Sequence, residues 1–213
     1  MVSITQRTSM ALYSDPNSHY SHRVRIVLQE KGLSTEIIDM TQENMHFDLL
    51  EINPNAEIPV LIDRDICLYD SLVLMEYLEE RFPHPPLMPV YPVIKARSRL
   101  FILRIEQEWS KNLDYLALNP KPGSKTQKSK KDLKSNILSA SSIFDEHPYF
   151  MSEDFSLIDC CVAPILWRLP ALGIDISKDK KAKPIYQYME RVFSRDSFKA
   201  SISEIEQEMR DFS

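Results

Sequence analysis

Two histidines three residues apart, His19 and His22, form the first pattern in the sequence that suggests chemistry. At the start of a helix this spacing would bring both imidazoles to one face, where they could bind a metal ion. A third ligand is not evident in the sequence. We therefore predict a capping or surface role for both histidines, with no metal site and no other cofactor.

The chain has three cysteines, Cys67, Cys160 and Cys161, which show neither CxxC nor Cys/His spacing. An odd number without such spacing predicts neither a disulfide framework nor a zinc site. We expect these side chains to act as small, buried apolar groups.

Residues 83–92, with the sequence PHPPLMPVYP, contain five of the 14 prolines in the chain. Proline fixes φ and lacks an N–H, so this segment cannot continue a helix or join a central strand. The residues alone favour a stiff linker that ends a helix. The alternative is a rigid, extended surface ridge for docking, which would lose little entropy on binding a partner.

Composition and charge narrow the class of protein. The 213 residues, 43% hydrophobic and 27% charged, suffice for one large domain or two small ones. Without a long apolar stretch or a basic-then-apolar N-terminus, the sequence predicts a cytoplasmic protein that does not enter the membrane. The net charge of −5 disfavours direct nucleic acid binding.

Residues 121–134, KPGSKTQKSKKDLK, hold six lysines and one aspartate. This composition favours a solvated loop that runs into a helix. A small basic contact for RNA or for an acidic partner is the less favoured alternative.

Hydrophobic periodicity predicts two halves of different character. Residues 1–82 have the order βαβαββα, residues 83–92 form a proline-rich junction, and residues 93–213 are all helical. The predicted elements of the first half are strands at 10–13, 35–39, 59–63 and 66–69, a hairpin turn at Arg64-Asp65, and helices at 24–32 and 72–82, the last with Ser71 as N-cap. The apolar residues that mark three helices of the second half are Leu100, Ile102, Leu103, Ile105 and Trp109; Ile185, Tyr188, Met189, Val192 and Phe193; and Phe198, Ile202, Ile205 and Met209.

This order resembles the glutathione transferase fold, in which an α+β thioredoxin-like domain precedes an all-α domain. Three motifs support the resemblance: Ile58-Pro59 at the start of a strand, Asp70-Ser71 at the start of a helix, and Ser156 with Asp159 as an N-capping box. The resemblance implies a cis peptide bond before Pro59, which would turn the backbone of Ile58 towards an extended peptide.

The same resemblance implies a glutathione pocket, either working or vestigial. Asp70 and Ser71 would receive the γ-glutamyl carboxylate at a helix N-terminus, although Ser71 could equally be a simple N-cap. Ser18 stands where some classes carry the residue that stabilises the thiolate, with Tyr13 and Tyr20 as other candidate donors. Asp15 lies close by in sequence and would oppose a thiolate.

The string EYLEERFPHPPLMPVYP at residues 76–92 resembles a narrower group, the bacterial stringent starvation protein A family. Four shorter segments support this resemblance, at residues 20–22, 24–28, 166–170 and 195–198. The family implies a homodimer without transferase activity that associates with RNA polymerase holoenzyme, with the sigma factor as one candidate contact, and that changes promoter use under stress. Its polymerase-contact surface matches Pro83, His84 and Pro85, with Pro86 and Tyr91 as neighbours.

Overall fold

The computed structural model describes residues 10–41, Leu49, Asn53 and residues 55–211. The chain forms two compact units. The first contains the residues up to Pro85 together with Asp196–Gln207, and the second contains Pro86–Arg195 with the residues from Glu208 onward.

A four-stranded sheet of order β2-β1-β3-β4 organises the first unit. Its strands are β1 (Ala11–Ser14), β2 (Glu36–Asp39), β3 (Val60–Asp63) and β4 (Ile66–Tyr69). β1 pairs parallel with β2 and antiparallel with β3, and β3 forms a hairpin with β4. The two central strands are buried along their whole length, whereas the edge strands are exposed or half-buried. All four predicted strands are confirmed to within one residue at either end.

Two helices follow the first and last of these strands, α1 (His19–Glu30) and α2 (Ser71–Arg81). α1 begins five residues before its predicted start. Gly32 lies just past its end with φ of 61°, a left-handed conformation that glycine adopts without steric cost. The second helix of the predicted βαβαββα order lies outside the described residues.

The second unit consists of helices. They are α3 (Pro92–Ile105), a π-helical turn (Glu106–Ser110), α4 (Lys111–Leu118), α5 (Ser124–Ser139), α6 (Ser141–Glu146), α7 (Leu157–Arg168) and α8 (Ala182–Phe193). Every residue of α7 is buried, as expected for a helix that is apolar around most of its circumference. Cys160 and Cys161 belong to this buried helix, and both are free thiols.

The capping box at the start of α7 is confirmed. One carboxylate oxygen of Asp159 accepts from the Ser156 N–H at 2.8 Å and from the Ser156 hydroxyl at 2.9 Å. The other accepts from the Phe150 N–H at 2.9 Å and the Tyr188 hydroxyl at 2.8 Å. Burial raises the pKa of Asp159 to about 6, although these four hydrogen bonds lower it.

Two predictions for the helices of the second half were wrong in detail. Leu100 and Leu103 are exposed, because α3 packs through Ile102 and Ile105 instead. The last predicted helix is broken into α9 (Asp196–Ser201) and α10 (Glu204–Asp211). No helix in the described ranges is long and apolar enough to cross a bilayer.

Candidate functional site

The proline-rich segment follows directly after α2. Pro83, His84, Pro85 and Pro86 are all exposed and adopt no regular secondary structure. The His84-Pro85 peptide bond is cis. These residues therefore present prolyl rings and one imidazole to the surroundings.

A buried lysine fixes the backbone of this segment. Lys31, the C-cap residue of α1, has a fully buried side chain. Its Nζ donates to the Glu79 carboxylate at 2.5 Å and to the Pro85 carbonyl oxygen at 2.5 Å. The position of Pro85 is thus set by the end of α1 and by a carboxylate on α2.

The rest of the segment turns inward and then outward again. Leu87 and Met88 are buried, and the Leu87 carbonyl accepts from the Leu157 N–H at 2.9 Å. Val90 and Tyr91 are 84% and 71% exposed. The expectation of one continuous ridge was wrong, because Leu87 and Met88 are buried. They separate two exposed stretches, residues 83–86 and 90–92.

The loop before β3 carries the predicted cis peptide bond between Ile58 and Pro59. The fully buried Asn53 shapes this loop. Its amide nitrogen donates to the Glu57 carbonyl at 2.7 Å, and its amide oxygen accepts from the Glu57 N–H at 3.3 Å. Pro54, part of the turn predicted here, lies outside the described residues.

The start of α2 differs from the prediction. Asp70, rather than Ser71, is the N-cap, and its carboxylate accepts from the N–H groups of Leu72 and Val73 at 2.8 and 3.3 Å. The Ser71 hydroxyl instead accepts from the buried Arg23, whose Nε and Nη2 lie 2.9 and 2.5 Å from it. The resemblance assigns the Ser71 hydroxyl to a ligand carboxylate. In this structure the hydroxyl is hydrogen-bonded to the Arg23 guanidinium instead.

Ser18 is the N-cap of α1. Its hydroxyl accepts from the Tyr20 N–H at 3.2 Å. Asp15 is held in the same turn, where its N–H donates to the Ser21 hydroxyl at 3.0 Å and its carboxylate accepts from the Asn17 N–H at 2.8 Å. Ser18 therefore caps α1, whereas the resemblance suggests that a residue at this position stabilises a thiolate.

The tyrosines on either side of Ser18 differ in setting. Tyr13 lies in the buried core cluster of the sheet, which favours a packing role. The half-buried Tyr20 stacks under the Arg23 guanidinium at 4.9 Å. Tyr20 is therefore the tyrosine that adjoins the Arg23 and Ser71 pair.

Both histidines are buried, so the predicted surface role was wrong. The His22 Nε2 lies 3.1 Å from the Ser201 hydroxyl, and its Nδ1 lies 3.3 Å from the Glu206 carboxylate. Arg25 joins the same buried group, because its Nη2 donates to Glu206 at 2.6 Å. Within the described ranges, no three His, Cys, Asp or Glu side chains form a cluster suited to a metal ion.

Sequence reasoning missed the roles of Arg23, Arg25 and Glu206. A usable signal was present, since two arginines alternate with Val24 and Ile26 in a helix whose other residues are mostly apolar or small. Charged side chains on such a helix need buried partners.

Comparison with known proteins agrees with this architecture. The family model for the glutathione S-transferase N-terminal domain matches residues 12–86, and the model for the C-terminal domain matches residues 105–196. A Tau class glutathione S-transferase from mango superposes with a TM-score of 0.82 over 96% of both chains, at 20% identity. The two domain models and the superposition together show that the chain has the glutathione S-transferase fold.

Curated relatives place the chain more narrowly. A stringent starvation protein A homolog of Haemophilus ducreyi is 47% identical over 201 residues, covering 94% of this chain and 93% of the relative. Another from Coxiella burnetii is 45% identical over 206 residues, covering 97% of each chain. The chain therefore belongs to the stringent starvation protein A family. A probable maleylacetoacetate isomerase of Caenorhabditis elegans is a more distant match, 29% identical over 174 residues, covering 78% of this chain and 81% of the relative.

Proposed function

We propose that this chain is a cytoplasmic regulator of the starvation and stress response that docks on RNA polymerase holoenzyme and has no transferase activity. The observation that carries the proposal is the exposure of Pro83, His84, Pro85 and Pro86 within a member of the stringent starvation protein A family. The bond from Lys31 to the Pro85 carbonyl supports it further, because a fixed backbone loses less entropy on binding.

The chemistry of the exposed stretches suits a protein partner. Prolyl rings offer apolar area without rotamer entropy, and His84 adds a group that both donates and accepts hydrogen bonds. Tyr91, which is 71% exposed, provides aromatic area of the kind enriched at binding hot spots.

The decisive experiment replaces Pro83, His84 and Pro85 together by alanine. We expect at least a tenfold loss of affinity for purified polymerase holoenzyme, measured by co-purification and by a binding titration. The matched control replaces Pro120 and Pro122, which are also exposed, and should bind as the wild type does. A folded triple variant with wild-type affinity would rule the docking assignment out.

We also propose that the chain forms a homodimer. Exposed apolar side chains gather along α3, where Val93, Ile94, Leu100 and Leu103 are all accessible. Apolar patches of this kind mark protein interfaces, and a twofold axis would let α3 cover itself on a second copy.

An active glutathione transferase, or a glutathione sensor without catalysis, is the second candidate. It is favoured by the Ile58-Pro59 motif before β3 and by Asp70-Ser71 at the start of α2. The name of the isomerase relative points in the same direction. Against it stand the Arg23 contact to Ser71 and the capping role of Ser18.

Calorimetry with glutathione at millimolar concentration separates these candidates. The regulator without a working pocket should show no binding. Binding with a conjugation rate that falls in Ser18→Ala would identify a transferase, whereas binding that Ser18→Ala leaves intact, with no conjugation, would identify a sensor.

A further inference from the structure

The second unit contains a cavity that none of the candidate sites uses. Its volume is about 440 Å³, within the range of roughly 300–1,000 Å³ that small-molecule sites occupy. It lies between the loop that follows α7, one face of α8 and the last turn of α10. The lining residues that bear on its chemistry are Leu169, Ile174, Asp175, Ile176, Tyr186, Met189 and Arg210.

Most of the cavity wall is aliphatic. Leu169, Ile174 and Ile176 come from the loop, and Met189 comes from α8; all four are buried. The flexible thioether of methionine adapts to ligands of varied shape. An apolar chain would therefore displace water from this wall at a gain in free energy.

One of the lining residues, Arg210, is a cation whose guanidinium is held in place by its own contacts. The Arg210 guanidinium lies 4.5 Å from the Trp167 ring centroid and 4.7 Å from that of Phe193. Its Nε and Nη2 donate to the carbonyls of Trp167 and Leu166 at 3.2 and 3.1 Å. Burial lowers the pKa of Arg210, but a guanidinium stays protonated in proteins. The positive charge is therefore held in place before any ligand arrives.

The lining also contains one acidic residue, Asp175, whose negative charge is offset by neighbouring lysines. Hydrogen bonds from Ser177 lower the pKa of Asp175, and the charges of Lys178 and Lys134 lower it further. Lys134 also donates from Nζ to the Asp175 carbonyl at 2.5 Å. With two lysines beside Asp175 and Arg210 in the lining, the charge around the cavity is positive overall.

Tyr186 adds a neutral hydroxyl. Burial, followed by the charge of Asp175, raises the pKa of Tyr186. The phenol therefore remains protonated at neutral pH and is able to donate a hydrogen bond.

We propose that this cavity binds a small amphipathic carboxylic acid, with its aliphatic chain against the apolar wall and its carboxylate at Arg210 and Tyr186. The combination of an aliphatic wall with one fixed cation and one neutral donor selects this class over neutral lipids and over inorganic anions. This ligand site shares no residue with the proline-rich segment, so the protein would bind the small molecule and the polymerase at different places.

The test uses two probes of equal chain length, decanoate and decanol, in calorimetric titrations of the full chain. We expect decanoate to bind about tenfold or more tightly than decanol, because hydrogen bonds to a charged group are stronger than those to a neutral hydroxyl. Arg210→Gln should lower decanoate affinity about tenfold and leave decanol affinity unchanged. Tyr186→Phe should lower decanoate affinity by a smaller factor.

Methyl NMR tests whether decanoate binds in this cavity. The Met189 methyl signal, which Met189→Leu identifies, should shift when the protein is saturated with decanoate. Lys111→Gln, which removes an exposed charge outside the lining, serves as the control and should bind as the wild type does. Equal affinity for the two probes, no saturable decanoate binding, or an unmoved Met189 methyl would each overturn the proposal. If Arg210→Gln does not fold, an unchanged decanoate affinity in Tyr186→Phe would overturn the proposal instead.

Discussion

Lys31 connects the chemistry of one residue to the proposed docking surface. Replacing it by methionine keeps an unbranched side chain, one atom shorter, but removes the donor that the Glu79 carboxylate and the Pro85 carbonyl share. We expect a loss of at least about 1–3 kcal/mol in the free energy of unfolding, because the Glu79 carboxylate and the Pro85 carbonyl would both lose this donor. Polymerase affinity should fall with it, although Lys31 itself is buried.

Urea unfolding and a polymerase binding titration check this prediction. The control is Arg104→Met, which breaks the exposed pair with Glu108 and should change stability by less than about 1 kcal/mol. Wild-type polymerase affinity in a folded Lys31→Met would show that the bond to Pro85 does not prepare the segment for binding.

Asp159 gives the second unit a defined pH dependence. Its folded pKa of about 6 lies above the value of about 3.9 expected in an unfolded chain. Between these values the folded state retains a proton that the unfolded state releases, so the contribution of Asp159 to the free energy of unfolding falls as pH rises. The contribution is constant above about pH 6 and is largest below about pH 4.

Two measurements test this pH dependence. The carboxyl carbon of Asp159 should titrate near pH 6 by NMR, and Tyr188→Phe should raise that midpoint by removing a donor to the carboxylate. The stability gap between wild type and Asp159→Asn should shrink between pH 4 and 6. A gap that grows over this window would contradict the assigned pKa.

At the scale of elements, α9 and the start of α10 depend on one buried carboxylate. Glu206 accepts from Arg25 at 2.6 Å and from the Ser203 N–H at 2.9 Å, and it lies 3.3 Å from the His22 ring. Removing one partner of a buried ion pair costs about 3–5 kcal/mol, because the other charge is left uncompensated.

We therefore expect Glu206→Gln to destabilise the first unit by several kcal/mol and to speed hydrogen exchange in residues 196–201. Glu204→Gln, an exposed change on the same helix, should leave both quantities near their wild-type values. Equal exchange rates in the two variants would mean that Glu206 does not hold this segment in place.

Elements whose signals are local could be predicted from the sequence. The β3-β4 hairpin depends on a two-residue turn, and Arg64 there adopts φ of 58°, as such turns require. The capping box of α7 depends on residues three positions apart. A second box of the same kind was missed: Ser203 and Glu206 each bond the other's N–H, and this box starts a new helix where one continuous helix was predicted.

Contacts between distant residues could not be predicted in this way. Arg23 and Ser71 are 48 positions apart, so no spacing rule links them. The exposure of Leu100 and Leu103 had a different cause, since a helix with apolar residues on two faces does not reveal which face the rest of the unit covers.

At the scale of the whole molecule, the exposed face of α3 predicts the oligomeric state. Leu100→Glu places a charge in the proposed twofold interface, so we expect a monomer at micromolar concentration by sedimentation velocity. Leu118→Glu, at a position that is 82% exposed on α4, should leave the dimer intact. A wild-type chain that sediments as a monomer, or a dimeric Leu100→Glu, would contradict the prediction.

The composition of the first unit has a consequence for how the protein is made. A ribosome releases the sheet, α1 and α2 early, but Arg25 meets Glu206 only after Pro86–Arg195 has also been synthesised. Until then an arginine destined for the interior has no carboxylate partner from this segment. The nascent sheet should therefore remain accessible to chaperones for most of translation, during which Pro86–Arg195, the larger part of the helical unit, is synthesised.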